Sequence, residues 1–206
     1  MKKITVELLS VTPESVVNEA IAQPYAQSPS RKLTQKVIGI KKHLSCAEHI
    51  VLSFKVNGTS RLELQEHMRH RMASPTVRST RYTLESDMNE DTEKYFVYPN
   101  MDDLSIEQAA ILHSHLAFLQ QRSLTAISEC KKAGVSNDYI KYLLPESFRT
   151  SFVWTINLRS LINFFDLRLD KTAHFEIRHV ANLIREEIKN RLPAEYVDDL
   201  LKMLQK

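Results

Sequence analysis

The sequence predicts a mixed α/β fold, of the α+β kind, in one domain spanning residues 1–206. Three observations predict it. Short segments of period two, rich in β-branched and aromatic residues, are separated by longer segments with apolar residues at helical spacing. The length of 206 residues favours one domain. Only three glycines occur, Gly39, Gly58 and Gly134, and neither a Rossmann GxGxxG nor a P-loop is present. If a nucleotide binds, side chains rather than glycine-rich backbone must meet its phosphates.

In chain order, 3–11 reads as a first strand. Pro13 opens a helix that stops near Pro24, with Glu14 in its first turn. The stretch 27–31 is a loop. Residues 32–43 return to helical spacing through Leu33, Val37 and Ile40. Residues 49–56 alternate as a strand, which Asn57-Gly58 is expected to end. Thr59 or Ser60 caps a helix running through Leu62, Leu64 and Met68 to Arg69. Residues 79–84 are expected as a short strand and 86–93 as an acidic surface loop. Residues 94–98 read as another short strand, ended by Pro99. Ser105 caps the longest helix, which ends near Gly134. A short helix over 136–144 stops at Pro145. A buried strand spans 151–158, and 157–167 follow at helical spacing. An amphipathic helix covers 173–190, and Pro193 opens a final short one.

Composition narrows the class. At 43% hydrophobic and 26% charged residues the chain reads as an ordinary soluble protein. No apolar run is long enough to span a bilayer, and MKKITVELLS lacks an apolar stretch of signal-peptide length. Cys46 and Cys130, the only cysteines, make neither a disulfide framework nor a zinc ribbon, so a reducing, cytoplasmic setting is expected. A net charge of +3 does not mark a bulk nucleic-acid binder.

Local charge is more informative. Arg69 to Tyr82, RHRMASPTVRSTRY, holds four arginines and a histidine with no acid among them. Crowded like charges add little stability, so the physical purpose is to hold an anion, and phosphate is the anion arginine suits best. If the preceding helix continued into the segment, Arg69 and Arg71 would point about 200° apart. The bland alternative is a solvated basic helix end that favours the helix dipole.

A second constellation holds Asn157, Ser160 and Asn163 at intervals of three. They can share a helical face and meet a flat heteroaromatic ring, or serve as caps and interhelical bonds. Arg168 lies between Asp166 and Asp170, a common setting for a structural ion pair. His67 and His70 have ligand spacing, but no HExxH is present, and no metal is expected.

These residues resemble the signature of the flavin-dependent thymidylate synthases, the ThyX-type family. RHR is followed after seven residues by Ser79, then Arg81-Tyr82. Glu48-His49-Ile50-Val51, followed by Phe54, is similar to the family's EHxxFxF strand. Tyr95 to Pro99 resembles its short strand ending in proline. Leu144-Pro145 and the run from Trp154 to Phe164, WTINLRSLINF, resemble its WTxNxRSLxNF segment. The likeness covers roughly residues 40 to 180.

The resemblance implies a ThyX-like fold, with a central, mostly antiparallel sheet flanked by helices. It implies methylation of dUMP to dTMP, with methylenetetrahydrofolate supplying the carbon and reduced FAD the hydride, NADPH reducing the flavin, and no enzyme nucleophile. It also implies a homotetramer with shared active sites. Carried over by position, Arg69, His70, Arg71, Ser45, Glu48, Asn157, Arg159, Asn163 and Leu167 resemble flavin contacts. Ser79, Thr80 and Arg81 resemble nucleotide contacts, joined by Glu66 and Lys141. Arg168 resembles the arginine on the pyrimidine ring, and His43 a histidine near the folate.

Departures fall mostly at nucleotide positions. Glu66 stands where the family usually has glutamine. Thr76 and Val77 replace Asn-Glu, and Lys141 aligns with a phosphate-binding arginine. A divergent flavin-binding homologue, acting on another pyrimidine nucleotide or inactive, is the alternative within the family. A single-stranded nucleic-acid-binding module is the alternative outside it.

Overall fold

The computed structural model describes residues 4–41, 43–84 and 91–191. By internal contacts these fall into two units. One comprises Ile4, Asn57–Glu66 and Val77–Ser151, and the other Thr5–Val56, His67–Thr76 and 152–191. The final helix expected at Pro193 and most of the acidic 86–93 stretch lie outside the described residues.

The elements in order are β1 (Thr5–Val11), α1 (Glu14–Ala22), α2 (Arg31–Thr34), β2 (Val51–Ser60), α3 (Arg61–Met68), β3 (Ala73–Val77) and α4 (Thr80–Thr83). Then come α5 (Thr92–Tyr95), α6 (Ile106–Lys132), α7 (Asn137–Ile140), β4 (Arg149–Asn157), α8 (Leu158–Arg168) and α9 (Phe175–Arg191). The strands form an antiparallel sheet in the order β1-β2-β4-β3.

Period-two patterning works as expected in β4. Thr150, Phe152, Trp154 and Ile156 are buried while the residues between them are partly exposed. In the second unit Trp154 is 1% exposed and packs near Phe164, ring centroids 4.9 Å apart, and Phe54, 6.4 Å. The core of the first unit gathers Leu84, Phe96, Leu124, Ile127, Ile140 and Phe148.

Caps set several boundaries. Ser105 makes a full capping box with Gln108, and α6 ends before Gly134, whose φ is +76°. Asn157 caps α8 by accepting from Ser160 N at 2.9 Å. Ser30 caps α2, and the chain then continues as a π-helical turn over Gln35–Ile40.

Three expectations are corrected. β2 does not end at Asn57-Gly58. Gly58 takes φ +78°, Arg149 Nη1 donates to its carbonyl at 2.5 Å, and the strand runs on to Ser60. The stretch 79–84 is no strand. The strand is β3, upstream, and Thr80–Thr83 form a helical turn closed by Thr83 N–H and Thr83 Oγ1, both donating to the Ser79 carbonyl. Residues 94–98 are no strand either. Asp91 accepts from Lys94 N at 3.3 Å and caps the turn Thr92–Tyr95, leaving only an isolated antiparallel bridge between Phe96 and Phe148. In both turns a side chain competes with the ladder for the backbone.

Candidate functional site

The basic segment does not continue α3. The helix stops at Met68, and His70 N–H donates to the His67 carbonyl at 3.1 Å. Arg69 and Arg71 are exposed, whereas the His70 between them is 8% exposed. His70 turns its ring edge-on to Trp154, at 6.2 Å, and to Phe164, at 5.5 Å. Its pKa is held below the ordinary value of 6.5, first by burial and then by His67 and Arg168, against an opposing hydrogen bond to the Ser160 carbonyl. Its Nε2 is buried and makes no hydrogen bond. His67, with the spacing of a metal ligand, is buried against Trp154 at 4.4 Å and Phe152 at 4.8 Å. Among the described residues no group of three His, Cys, Asp or Glu side chains gathers as a metal site.

The other expected flavin residues lie in the same unit. Ser45 precedes a 3₁₀ turn, Cys46–His49, that carries Glu48. Arg159 Nη1 donates to Glu48 Oε1 at 2.6 Å, so two expected contacts pair with each other on the surface. The Leu158 N–H donates to the Ile50 carbonyl at 2.7 Å, which joins the start of α8 to the end of that turn. Asn157, Ser160 and Asn163 do not share one polar face. Asn157 is the cap, Ser160 is buried and Asn163 is exposed. Leu167 is exposed and Arg168 half-buried in the last turn of α8. His43 is exposed, with Nδ1 3.2 Å from the Tyr25 hydroxyl.

Of the expected nucleotide contacts, Glu66, Ser79, Thr80, Arg81 and Lys141 lie in the first unit and Arg168 in the second. Arg81 Nε is 3.2 Å and Lys141 Nζ 3.7 Å from the same oxygen of Asp138. Asn137 donates to the Arg81 carbonyl at 2.8 Å. These charged side chains are 40–60% exposed, so two cations share one carboxylate in the open. Ser79 is exposed and Thr80 half-buried, and Glu66 is half-buried in α3. Sequence reasoning missed Asp138. Its i,i+3 spacing to Lys141 was a usable signal, whereas nothing local announced its approach to Arg81.

A buried imidazole thus stands between exposed arginines in one unit, and two cations share one carboxylate in the other. The family model described as thymidylate synthase complementing protein matches residues 7–194. A flavin-dependent thymidylate synthase of Wolinella succinogenes is 38% identical over 169 residues, covering 81% of this chain and 78% of the relative. One of Helicobacter pylori is 32% identical over 175 residues, with 81% and 78% coverage. Among solved structures, thymidylate synthase X from Helicobacter pylori, crystallised with FAD and dUMP, matches with a TM-score of 0.77 and 27% identity. That match covers 98% of this chain and 100% of the other. This chain belongs to the flavin-dependent thymidylate synthase family.

Proposed function

We propose that this chain methylates dUMP to dTMP, with FAD as cofactor, methylenetetrahydrofolate as carbon donor and NADPH as reductant of the flavin. The observation that carries the reading is the turn Arg69-His70-Arg71. Two exposed arginines beside a fixed imidazole suit the diphosphate of a dinucleotide. Ser45, Glu48, Asn157, Arg159, Asn163 and Leu167 complete the flavin set. When bound, FAD supplies the hydride.

The nucleotide falls to Ser79, Thr80, Arg81 and Lys141, with Glu66. Its phosphate goes to the Arg81–Lys141 pair, where two cations outnumber the single carboxylate of Asp138. Lys141 serves as a point charge rather than a bidentate fork. Arg168 is assigned to the pyrimidine. C5 of uracil is nucleophilic only when charge accumulating on the ring oxygens is stabilised, which a fixed guanidinium can do. His43 is assigned to the folate. No metal takes part, and the cytoplasm is the expected setting.

Both units serve one domain, 1–206, and the working form is a homotetramer with shared active sites. The surface of α6 supports an oligomer. Ile111 and Phe118, and likewise Leu112 and Leu119, are seven residues apart and exposed, so they form one apolar seam. The residues that α6 buries within the chain all lie from Gln120 onward.

Purified protein should be yellow with a flavin absorption band, and should release tritium from 5-labelled dUMP in the presence of folate and NADPH. Colourless protein that takes up no added FAD would overturn the reading.

A further inference from the structure

The first unit contains a pocket of about 80 Å³ whose three cations have no role in the proposed reaction. Arg78, Lys94 and Arg149 line it together with Thr80, Thr83 and Thr150, and among the described residues no acidic side chain is in the lining. The short helix α4 explains its separation from the Arg81 cluster. At 100° per residue, Thr80 and Thr83 share one side of the turn, while Arg81 lies about 100° away from Thr80. Arg78, Thr80 and Thr83 accordingly line the pocket, and Arg81 goes to Asp138 instead. One basic segment thus delivers Arg78 and Arg81 to two places.

The cations are held in position rather than loosely solvated. Arg78 donates from Nε to Thr83 Oγ1 at 3.0 Å and from Nη2 to the Thr83 carbonyl at 3.4 Å. Those bonds engage only part of a guanidinium's five N–H donors, and both acceptors are neutral. Arg149 is anchored on the carbonyls of Gly58 and Glu93, the latter at 3.2 Å. Lys94 Nζ donates to the Tyr95 hydroxyl at 2.9 Å and lies 4.8 Å from the centroid of that ring. Two guanidinium groups and an ammonium among threonines around a small cavity match a tetrahedral oxyanion.

We propose that this pocket is a second site for a phosphate group, separate from the Arg81–Lys141 cluster. The bound group is either free inorganic phosphate or a phosphoryl group carried on a nucleotide.

The test is calorimetric titration of inorganic phosphate into the full chain carrying Arg81→Ala and Lys141→Ala, which removes the other cation pair. Phosphate should still bind. Adding Arg78→Gln or Lys94→Gln should weaken binding about tenfold each, the effect of losing one charge-assisted hydrogen bond. Arg149 is left intact because it holds two carbonyls of the fold. Circular dichroism checks each variant, and if Arg78→Gln fails to fold, Lys94→Gln carries the test. Competition with NADPH but not NADH would place the reductant's phosphoryl group in the pocket, and competition with neither would identify free phosphate. No phosphate binding in the Arg81→Ala, Lys141→Ala background would overturn the proposal. Binding unchanged by both Arg78→Gln and Lys94→Gln would overturn it equally.

Discussion

Acidification should destabilise this protein through His70. In the unfolded chain the imidazole titrates near 6.5, and in the fold its pKa lies lower, chiefly because burial disfavours the charged ring. Below pH 6.5 the unfolded chain therefore binds a proton that the folded chain refuses. The contribution of neutral His70 is complete above the unfolded pKa and is lost as pH falls through it towards the folded pKa. One proton sets a ceiling of about 1.4 kcal/mol per pH unit on the slope. For a chain of this size that corresponds to roughly 3–5 °C of Tm per unit. The ring is 8% exposed and packed edge-on to Trp154 and Phe164, so solvent cannot relax the charge cheaply. The assay is a series of thermal or urea melts between about pH 5.5 and 7.5. His70→Phe keeps an aromatic ring but cannot titrate, and its slope should be shallower by up to one proton. His179, whose pKa burial also lowers, leaves a residual slope of the same sign. Equal slopes in the wild type and His70→Phe would refute the reasoning.

Other substitutions separate the assigned roles. Arg168→Ala should abolish tritium release from labelled dUMP while the flavin absorption band largely remains. Arg81→Ala and Lys141→Ala should each raise the KM for dUMP by about tenfold, with the difference shrinking at high salt, as steady-state kinetics at two ionic strengths would show. Asn157→Ala removes the cap that accepts from Ser160 N and should cost about 1 kcal/mol in urea unfolding, with Asn157→Asp retaining most of it. Glu48→Gln breaks a pair whose side chains are about half exposed, so stability should fall by less than about 1 kcal/mol in the same assay.

Much of the fold was legible because local rules governed it. Ser105 with Gln108 announced α6, and alternation from Thr150 to Ile156 announced the buried face of β4. Asn157 could be read either as a ligand contact or as a cap, and its observed bond is the cap. The failures share a cause. Residues 79–84 and 94–98 are rich in strand formers, yet in each a side-chain or backbone bond from the residue ahead closes a helical turn. Asp91 was a readable N-cap that a strand assignment overlooked. Gly58 misled in the other direction. A left-handed glycine can end a strand, but here the strand runs on past it to Ser60.

The sequence by itself determined that Arg69 to Tyr82 gathers four arginines with no acid among them, a pattern suited to an anion. It also determined the family, through motifs spread over most of the chain. Only the tertiary structure decided where each cation goes. His70 is drawn under Trp154 and Phe164 while its neighbours stay in water. Arg81 meets Asp138, more than fifty residues further along the chain, on the same carboxylate oxygen that Lys141 reaches. Arg78 turns to a pocket shared with Lys94 and Arg149. A linear pattern fixes which charges stand close in the chain, but a turn of 100° per residue and the packing of distant elements fix which of them face the same ligand.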